Sequence, residues 1–330
     1  MSMGKVGVGV CTRRRPEMLA ALLQSFARMD RPEGAEVVFI VVENEPTLSA
    51  ATRAAAHTLS EATGCTVLTE PEPKPGIPMA RNRVLDTALA NGCDYLTFVD
   101  DDELVRSDWL VNLLDGLRAQ GLDLAGGPVN QIGGDQELTP MQQACLEFVR
   151  KRGAKRNATR QAHAVKNEDK QFAVYTNNWC ADLAAVRRLG VRFDETLQFT
   201  GGEDTRFSLD MSAAGAKVGW VAEAVVDEIM PPSRLTLSYQ YARARDQTIT
   251  TVQLRKLPFR RIWGYALSRL MDALVNALVA PIAGRTYLVK AAHKLGIAVG
   301  RWRGYFGKAS SHYAPGTETV HGDTKVKPGS

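Results

Sequence analysis

Cysteines are few in this chain, and none of them stand at metal-binding spacing. The five cysteines are scattered through 330 residues, and no Cys-x-x-Cys pair occurs. We therefore expect reduced thiols, a cytoplasmic location and no structural zinc site. The first apolar stretch, Val6–Cys11, is short and is followed rather than preceded by arginines. It therefore does not predict a signal peptide.

Long charge-free apolar runs are also missing. Ile262–Ala283 is strongly apolar, but Arg269, Asp272 and Pro281 interrupt it, whereas a membrane-spanning helix needs about 20 nearly continuous apolar residues. Its polar residues recur at helical spacing and leave a wide apolar arc. The pattern predicts an amphipathic helix that either lies on a membrane or packs on the rest of the chain.

Acidic residues are nearly absent from the segment 255–308. It carries eleven Lys or Arg and one acid, Asp272. Such an excess of positive charge indicates an anionic partner, either a membrane surface or another polyanion. Nearby aromatic residues such as Trp263 and Trp302 favour an anionic membrane surface. We expect no nucleic-acid partner.

Strand and helix patterns alternate through the first half of the chain. Strands are predicted over Val6–Cys11, Val37–Val42, Thr66–Leu68 and Tyr95–Val99, with helices starting near Pro16, Ser49, Met79 and Trp109. This alternation predicts an α/β fold with a doubly wound, mainly parallel sheet. We expect one domain over 1–254, a basic amphipathic helical extension over 255–308, and a flexible tail over 309–330.

Three local features complete this interpretation. Pro71–Pro78 contains four prolines and a glycine and predicts a loop. Arg150–Lys170 contains eight basic residues and few apolar ones, which predicts a solvated loop. The alternative is a flap whose cations approach a diphosphate. Ser107 is expected to cap the helix that follows it.

The strongest chemical signal is Asp100-Asp101-Asp102, directly after the predicted strand Tyr95–Val99. Open α/β sheets bind ligands at the carboxyl ends of their strands. Adjacent carboxylates repel one another unless a cation offsets their charge, and two carboxylates in Asp-x-Asp can hold a hard divalent ion together with phosphate oxygens. An acidic turn before a helix is the plainer alternative.

A second acidic motif is Gly201-Gly202-Glu203-Asp204, at the start of a predicted helix. Two glycines let the backbone approach a ligand closely. Asp204 can serve as a general base that accepts a proton from a hydroxyl, or it can simply cap the helix.

These motifs, in this order and spacing, resemble a bacterial family 2 inverting glycosyltransferase of the GT-A fold, the type that builds exopolysaccharide repeat units. The resemblance covers about residues 4–250. It is carried by Val6–Arg15 with Pro16, Val41-Val42-Glu43-Asn44, Gly76 with Ala80-Arg81-Asn82, Phe98-Val99-Asp100-Asp101-Asp102, and Gly201-Gly202-Glu203-Asp204.

The resemblance implies roles for individual residues. Thr12 and Glu43 would line the base and ribose of a nucleotide-sugar, with Arg81 near its base or diphosphate. Asp100 and Asp101 would lie on the donor, and Asp102, with Asp100, would bind Mn²⁺ or Mg²⁺. Asp204 would be the catalytic base. The acceptor side would be formed by Asn177, Asn178, Trp179 and Glu203.

Two departures from the family pattern matter. Glu43 stands where Asp is usual, and the region after the last strand has Asp227 and Glu228 where many members have a metal-binding His. Gln240-Tyr241-Ala242-Arg243-Ala244 lacks the Trp of the processive motif Gln-x-x-Arg-Trp. We therefore expect addition of single sugars. The resemblance further implies UDP-glucose as donor, on family frequency alone, and a saccharide acceptor. The basic segment 255–308 favours a lipid-linked acceptor at the inner face of the inner membrane.

Three other functions compete with this one. A sugar-phosphate nucleotidyltransferase would need a glycine-rich loop after the first strand, which Thr12–Pro16 does not provide. A non-catalytic membrane adaptor on a transferase scaffold would not need Asp102 and Asp204. A dinucleotide-binding dehydrogenase would need a third glycine after Gly7-Val8-Gly9.

Overall fold

The computed structural model describes residues 4–165, 173–198, 201–255 and 259–307, so the predicted tail over 309–330 lies outside the described residues. The described chain forms two compact units. The first comprises the described residues of 4–130, 153–198 and 202–229, and the second those of 131–152, 201 and 230–307.

Ten strands and ten α-helices follow one another along the described residues. The strands are β1 (Gly4–Thr12), β2 (Ala35–Glu43), β3 (Thr66–Pro71), β4 (Tyr95–Phe98), β5 (Glu103–Val105), β6 (Leu124–Gly126), β7 (Val129–Gly133), β8 (Trp179–Asp182), β9 (Val218–Trp220) and β10 (Val226–Met230). The helices are α1 (Pro16–Ala27), α2 (Ala50–Thr63), α3 (Ile77–Ala90), α4 (Trp109–Ala119), α5 (Pro140–Val165), α6 (Leu183–Leu189), α7 (Glu203–Ala213), α8 (Leu237–Arg255), α9 (Phe259–Ala283) and α10 (Arg285–Tyr305).

The main sheet has seven strands in the order β3-β2-β1-β4-β8-β6-β9. All its pairs are parallel except those of β8, which runs antiparallel to both β4 and β6. The predicted mainly parallel, doubly wound α/β sheet is therefore confirmed. A smaller sheet has the order β5-β10-β7.

Both faces of the main sheet are buried, because apolar side chains alternate between two cores. On β2, Val37, Phe39 and Val41 belong to one apolar cluster, and Val38 and Ile40 belong to the other. The sequence of a strand that is buried on both faces is a continuous apolar run. This explains why the sequence pattern predicts β2 as a strand.

Parallel register brings the functional strand ends together. Thr12 at the end of β1 lies opposite Glu43 at the end of β2, and Gly9 pairs with Phe98 near the end of β4. The residues that follow β1, β2 and β4 therefore leave the sheet at one edge, as expected for a ligand site in an open α/β sheet.

The predicted loop over Arg150–Lys170 is wrong as far as Val165, because the 26-residue helix α5 runs through it. Residues 166–170 lie outside the described residues. Lys, Arg, Gln and Ala, which dominate this stretch, are all strong helix formers. High charge excluded a buried segment but did not exclude a helix.

Two smaller boundaries also need correction. Pro71 closes β3, and Pro78 lies in the first turn of α3, where a missing N–H costs nothing. Ser107 is not the cap of α4, since Asp108 occupies the N-cap position and its side chain makes no capping hydrogen bond.

The second unit is built on a close contact between α8 and α10. A Cβ on Gly296 would collide with the carbonyl oxygen of Tyr241, and one on Gly300 with that of Arg245. These two glycines therefore let the helix backbones approach each other directly. α9 packs against α10, and one helix segment, Ile262–Ala283, is apolar and long enough to cross a membrane by length and composition.

Candidate active site

Asp101, the middle residue of the acidic motif, faces inward. It is 5% exposed and accepts hydrogen bonds from Thr12 Oγ1 at 2.8 Å and Arg15 Nη1 at 2.9 Å. Burial raises the pKa of Asp101 to about 6, against the opposing effect of Arg15. Asp101 thus connects the end of β1 to the turn after β4. The Thr12 hydroxyl and one Asp101 carboxylate oxygen are hydrogen-bonded to each other.

Arg81 joins the two acidic motifs. This buried guanidinium on α3 donates to Asp100 Oδ1 at 3.1 Å and to the carboxylate of Glu203 on α7. The negative charges of Glu203, Asp100 and Asp204 outweigh its desolvation and raise the pKa of Arg81. Asp100, Asp204 and Glu203 therefore share one electrostatic cluster around a fixed positive charge.

Glu203 belongs to this cluster as a buried partner of Arg81. Burial raises the pKa of Glu203 above its usual range, against the opposing effect of Arg81. Direct donation by Arg81 and the position of Glu203 as the first residue of α7, where a helix favours negative charge, support the ionised form. Gly202 before it has φ of +92°, a left-handed conformation suited to glycine. Glu203 was predicted on the acceptor side, and its carboxylate lies on Arg81.

Glu103 was missed by the sequence analysis, although it directly follows the three aspartates. It is 2% exposed and accepts hydrogen bonds from the backbone N–H of Asp100 at 3.0 Å and from Asn177 Nδ2 at 3.1 Å. Burial first, and then Asp100, Asp102 and Glu228, raise the pKa of Glu103 well above its usual range. Glu103 therefore stabilises the Asp100–Asp102 turn by accepting the backbone N–H of Asp100.

The two outer aspartates are more accessible than Asp101. The side chain of Asp100 is 44% exposed, and Asp102 is half-buried. Desolvation raises the pKa of Asp100, and the positive charge of Arg81 opposes this shift. Both side chains remain candidates for contact with a ligand.

Asp100 and Asp102 fit a divalent metal that is shared with a substrate. The described residues contain no group of three or more His, Cys, Asp or Glu placed to hold a metal ion. Mg²⁺ and ions like it are commonly bound by one or two carboxylates together with water and substrate phosphates. The hard oxygen donors present suit that arrangement rather than an all-protein cage.

The two acids on β10, Asp227 and Glu228, have different surroundings. Arg106 donates to both carboxylate oxygens of Asp227, at 3.1 Å each. Glu228 is half-buried and pairs across the strands with Glu103. Asp227 is therefore tied to Arg106, while Glu228 lies opposite the buried Glu103.

Glu43 and Asn44 organise the end of β2. Glu43 is 5% exposed, and its Oε2 accepts the backbone N–H of Ser49 at 2.7 Å. Asn44 donates to the carbonyl oxygens of Glu72 and Lys74 and accepts from the N–H of Gly76. Asn44 thereby fixes the loop that leads to α3 and Arg81.

Three consecutive residues predicted on the acceptor side, Asn177, Asn178 and Trp179, have different surroundings. Asn177 is half-buried and bound to Glu103. Asn178 is 1% exposed and bonds with Trp109 and with the carbonyl oxygens of Pro128 and Ala224. Trp179, 2% exposed, packs in the aromatic core. The structure therefore gives Asn178 and Trp179 side chains a packing role and leaves Asn177 nearest to the acidic cluster.

One basic residue from the predicted loop reaches this region. The Arg160 guanidinium on α5 lies 4.3 Å from the ring centre of Tyr175 and 5.2 Å from that of Trp220. Burial lowers the pKa of Arg160, while Tyr175 and Asp204 raise it. Aromatic stacking holds this cation where it interacts with Asp204.

Comparison with known sequences finds a matching family and a relative. A family profile described as "Glycosyltransferase like family 2" matches residues 4–247. The succinoglycan biosynthesis protein ExoM of Rhizobium meliloti (strain 1021) is 36% identical over 234 residues, which cover 71% of this chain and 70% of that protein.

Solved structures with a similar fold include two proteins in complex with nucleotide-sugars. The mannosyltransferase PcManGT from Pyrobaculum calidifontis, in complex with GDP-Man and Mn²⁺, has a TM-score of 0.61 at 16% identity, covering 92% of this chain and 88% of that one. S. aureus TarS 1-349 in complex with UDP-GlcNAc has a TM-score of 0.52 at 13% identity, covering 92% of each chain. These likenesses confirm the GT-A fold.

Proposed function

Because the chain belongs to the family described as glycosyltransferase-like family 2, we propose that it moves one sugar from a nucleotide-diphosphate sugar to a saccharide acceptor, with inversion. One observation carries this proposal. Arg81 draws Asp100 of the first motif and Glu203 of the second into one cluster, and the charge of Asp204 acts on the same cluster. A donor diphosphate and an acceptor hydroxyl would meet there.

The reaction is a direct displacement. Asp204 accepts the proton of the acceptor hydroxyl. The hydroxyl oxygen then forms a bond to the anomeric carbon as the bond to the diphosphate breaks, and attack from the opposite face inverts the configuration. Mn²⁺ or Mg²⁺, when bound by Asp102 and Asp100, would offset the charge of the leaving nucleoside diphosphate.

The protein's own cations would serve the same leaving group. Arg81 is fixed by two carboxylates and cannot move far, so it would set the position of the donor diphosphate. Arg160, stacked between Tyr175 and Trp220, would add a second positive charge near Asp204. Thr12 and Glu43 would border the nucleotide through side-chain atoms that do not take part in their hydrogen bonds to Asp101 and Ser49.

We place this reaction in exopolysaccharide assembly, because ExoM carries the name of a succinoglycan biosynthesis protein. UDP-glucose is our first candidate donor on family frequency. A lipid-linked saccharide at the inner face of the inner membrane is our candidate acceptor, because residues 255–308 carry eleven basic residues and one acid. Addition of a single sugar follows from the missing processive motif.

Two other functions predict different products. A sugar-phosphate nucleotidyltransferase would release pyrophosphate, and the arginine-rich turn after β1, where Arg15 binds Asp101, offers no glycine-rich phosphate cradle. A non-catalytic adaptor would release nothing.

The test is a donor screen with the full-length protein. It scores release of UDP or GDP with Mn²⁺, with and without lipid-linked saccharides, and the anomeric configuration of the product is read by NMR. Asp204→Asn should lower turnover at least about a hundredfold, the scale of general-base loss, while donor binding persists. Near-normal turnover by a folded Asp204→Asn variant would show that another residue is the base. Release of pyrophosphate would show that the protein is a nucleotidyltransferase rather than a glycosyltransferase.

A further inference from the structure

The large exposed apolar side chains of the described residues are concentrated in one place. All fifteen lie between Phe259 and Phe306, on α9, on α10 or directly after α10. Seven of them form what we name the α9 apolar face: Leu267, Leu270, Met271, Leu274, Val275, Leu278 and Ile282. An exposed apolar patch of this extent marks a surface that is covered in use.

The amphipathicity of α9 is inverted relative to an ordinary surface helix. Beyond Ile262, which is buried near the start of α9, the side that packs inward presents small residues, with Ala266, Ala273 and Ala280 all buried. The opposite side presents large aliphatic residues, with Leu278 at 78% and Ile282 at 93% exposure. In a helix whose outer side meets water, the large apolar residues would face the protein. Here the large apolar residues from Leu267 to Ile282 face outward.

The charged residues of α9 beyond its first turn are held on the α10 side. Arg269 pairs with Asp272 at 3.0 Å, and Lys294 of α10 approaches Asp272 at 3.7 Å. The Arg269 and Arg301 guanidinium groups lie 4.7 and 4.0 Å from the ring centre of Tyr265. These contacts leave the α9 apolar face without charge.

One end of the α9–α10 pair carries five contacting rings that we name the aromatic cluster. Its closest pair is Trp263 and Trp302, with ring centres 4.1 Å apart. Each ring is 39 to 57% exposed. Tryptophan and tyrosine concentrate at the boundary between lipid and water. The members of the cluster are Phe259, Trp263, Trp302, Tyr305 and Phe306.

We infer that α9 and α10 lie flat in one leaflet of an anionic membrane, with the α9 apolar face among the acyl chains and the aromatic cluster at the headgroup level. The excess of ten positive charges over 255–308 attracts an anionic leaflet and repels a second copy of the same surface. Lipid is therefore favoured over self-association. This mode of attachment rests on the proposed peripheral location but does not depend on glycosyl transfer.

A spanning arrangement of α9 conflicts with its partner helix. α10 packs along α9 and carries Lys290, Lys294, Arg301 and Arg303. A spanning α9 would draw these cations into the hydrocarbon layer, where charged side chains are costly. An in-plane α9 lets the same cations meet lipid headgroups, as in interfacial helices.

The first experiment measures sedimentation of the full-length protein with phosphatidylcholine vesicles that contain about 30% phosphatidylglycerol, without donor or acceptor. Met271→Glu with Leu278→Glu should weaken binding at least about tenfold. The control Ala51→Glu with Ala54→Glu adds the same charges to exposed sites on α2 and should bind as wild type. Circular dichroism and urea unfolding establish that both variants fold.

The second experiment reads depth. Leu274→Trp places an added fluorophore at the middle of α9, and its quenching is read as the difference from wild type, which already carries Trp263 and Trp302. Lipids brominated near the headgroup should quench it more than lipids brominated at the chain end, because an in-plane helix stays shallow. Binding should weaken but persist at about 0.5 M salt, since only the electrostatic part is screened.

Four results would overturn the inference: equal binding by the Met271/Leu278 variant, stronger quenching by chain-end bromine, complete loss of binding at high salt, or a stable dimer in ultracentrifugation that the Met271/Leu278 variant abolishes. None of these would affect the release of nucleoside diphosphate in the donor screen, so this inference and the proposed reaction can fail separately.

Discussion

Acid should destabilise the second unit through one buried histidine. His293 on α10 is 6% exposed and meets the Phe148 ring edge-on, with ring centres 5.2 Å apart. Burial, and then the positive charges of Arg152 and Lys294, lower its pKa to about 3, against a hydrogen bond with the backbone of Gln240. The folded protein therefore keeps a neutral His293 at a pH where an unfolded chain is already protonated.

The size and direction of the effect follow from linkage. Since the folded pKa lies below the unfolded value of about 6.5, acid favours the unfolded state, and stability falls as pH drops from about 6.5 toward 3. Between pH 7.5 and 5.0 the loss is about 2 kcal/mol. A folded pKa one unit higher leaves this figure nearly unchanged, because at pH 5.0 the folded histidine is still neutral.

The assay compares urea unfolding at pH 7.5 and 5.0, followed by circular dichroism. His293→Gln keeps a hydrogen-bond donor but cannot titrate, so wild type should lose about 2 kcal/mol more than this variant on acidification. His57→Gln removes an exposed histidine of α2, whose side chain is 72% exposed, and should follow wild type. Parallel losses in wild type and His293→Gln would refute this account of His293.

Three further outcomes are expected. Chelation should abolish nucleoside diphosphate release and Mn²⁺ or Mg²⁺ should restore it, whereas Asp102→Asn should stay at least about a hundredfold slower with metal; full activity after chelation would remove the metal role. Arg160→Gln should lower kcat/KM for the donor by about tenfold without loss of thermal stability, as expected for one charge–charge contact, and unchanged kinetics would contradict its role. Gly300→Ala should destabilise the protein by about 1–3 kcal/mol, because the added Cβ meets the backbone of α8. Gly264→Ala adds a Cβ that meets nothing within 4 Å and should stabilise the protein by up to about 1 kcal/mol. Equal effects of the two variants in urea unfolding would contradict the close α8–α10 packing.

Much of the fold was visible in the sequence because local pattern and tertiary packing agree there. β2 reads as a strand since both its faces are buried, and α1 begins at Pro16 as expected for a proline in the first turn. The pattern failed at α5, where charge resembled a loop although Lys, Arg, Gln and Ala favour a helix. The domain boundary near residue 254 stays a prediction.

The sequence by itself determined which residue types could do chemistry, since runs of carboxylates at a strand end and at a helix start stand out without a structure. Only the tertiary structure decided how each carboxylate is used. Asp101 and Glu203 accept hydrogen bonds from arginines. Glu103 accepts the backbone N–H of Asp100, and the Asp100 side chain remains partly exposed. The physical reason is that a carboxylate's partners come from strands and helices far away in the chain, and sequence spacing does not encode their distance. The same holds for α9, because its composition showed an apolar helix, but only its packing on α10 showed that the large side chains face outward.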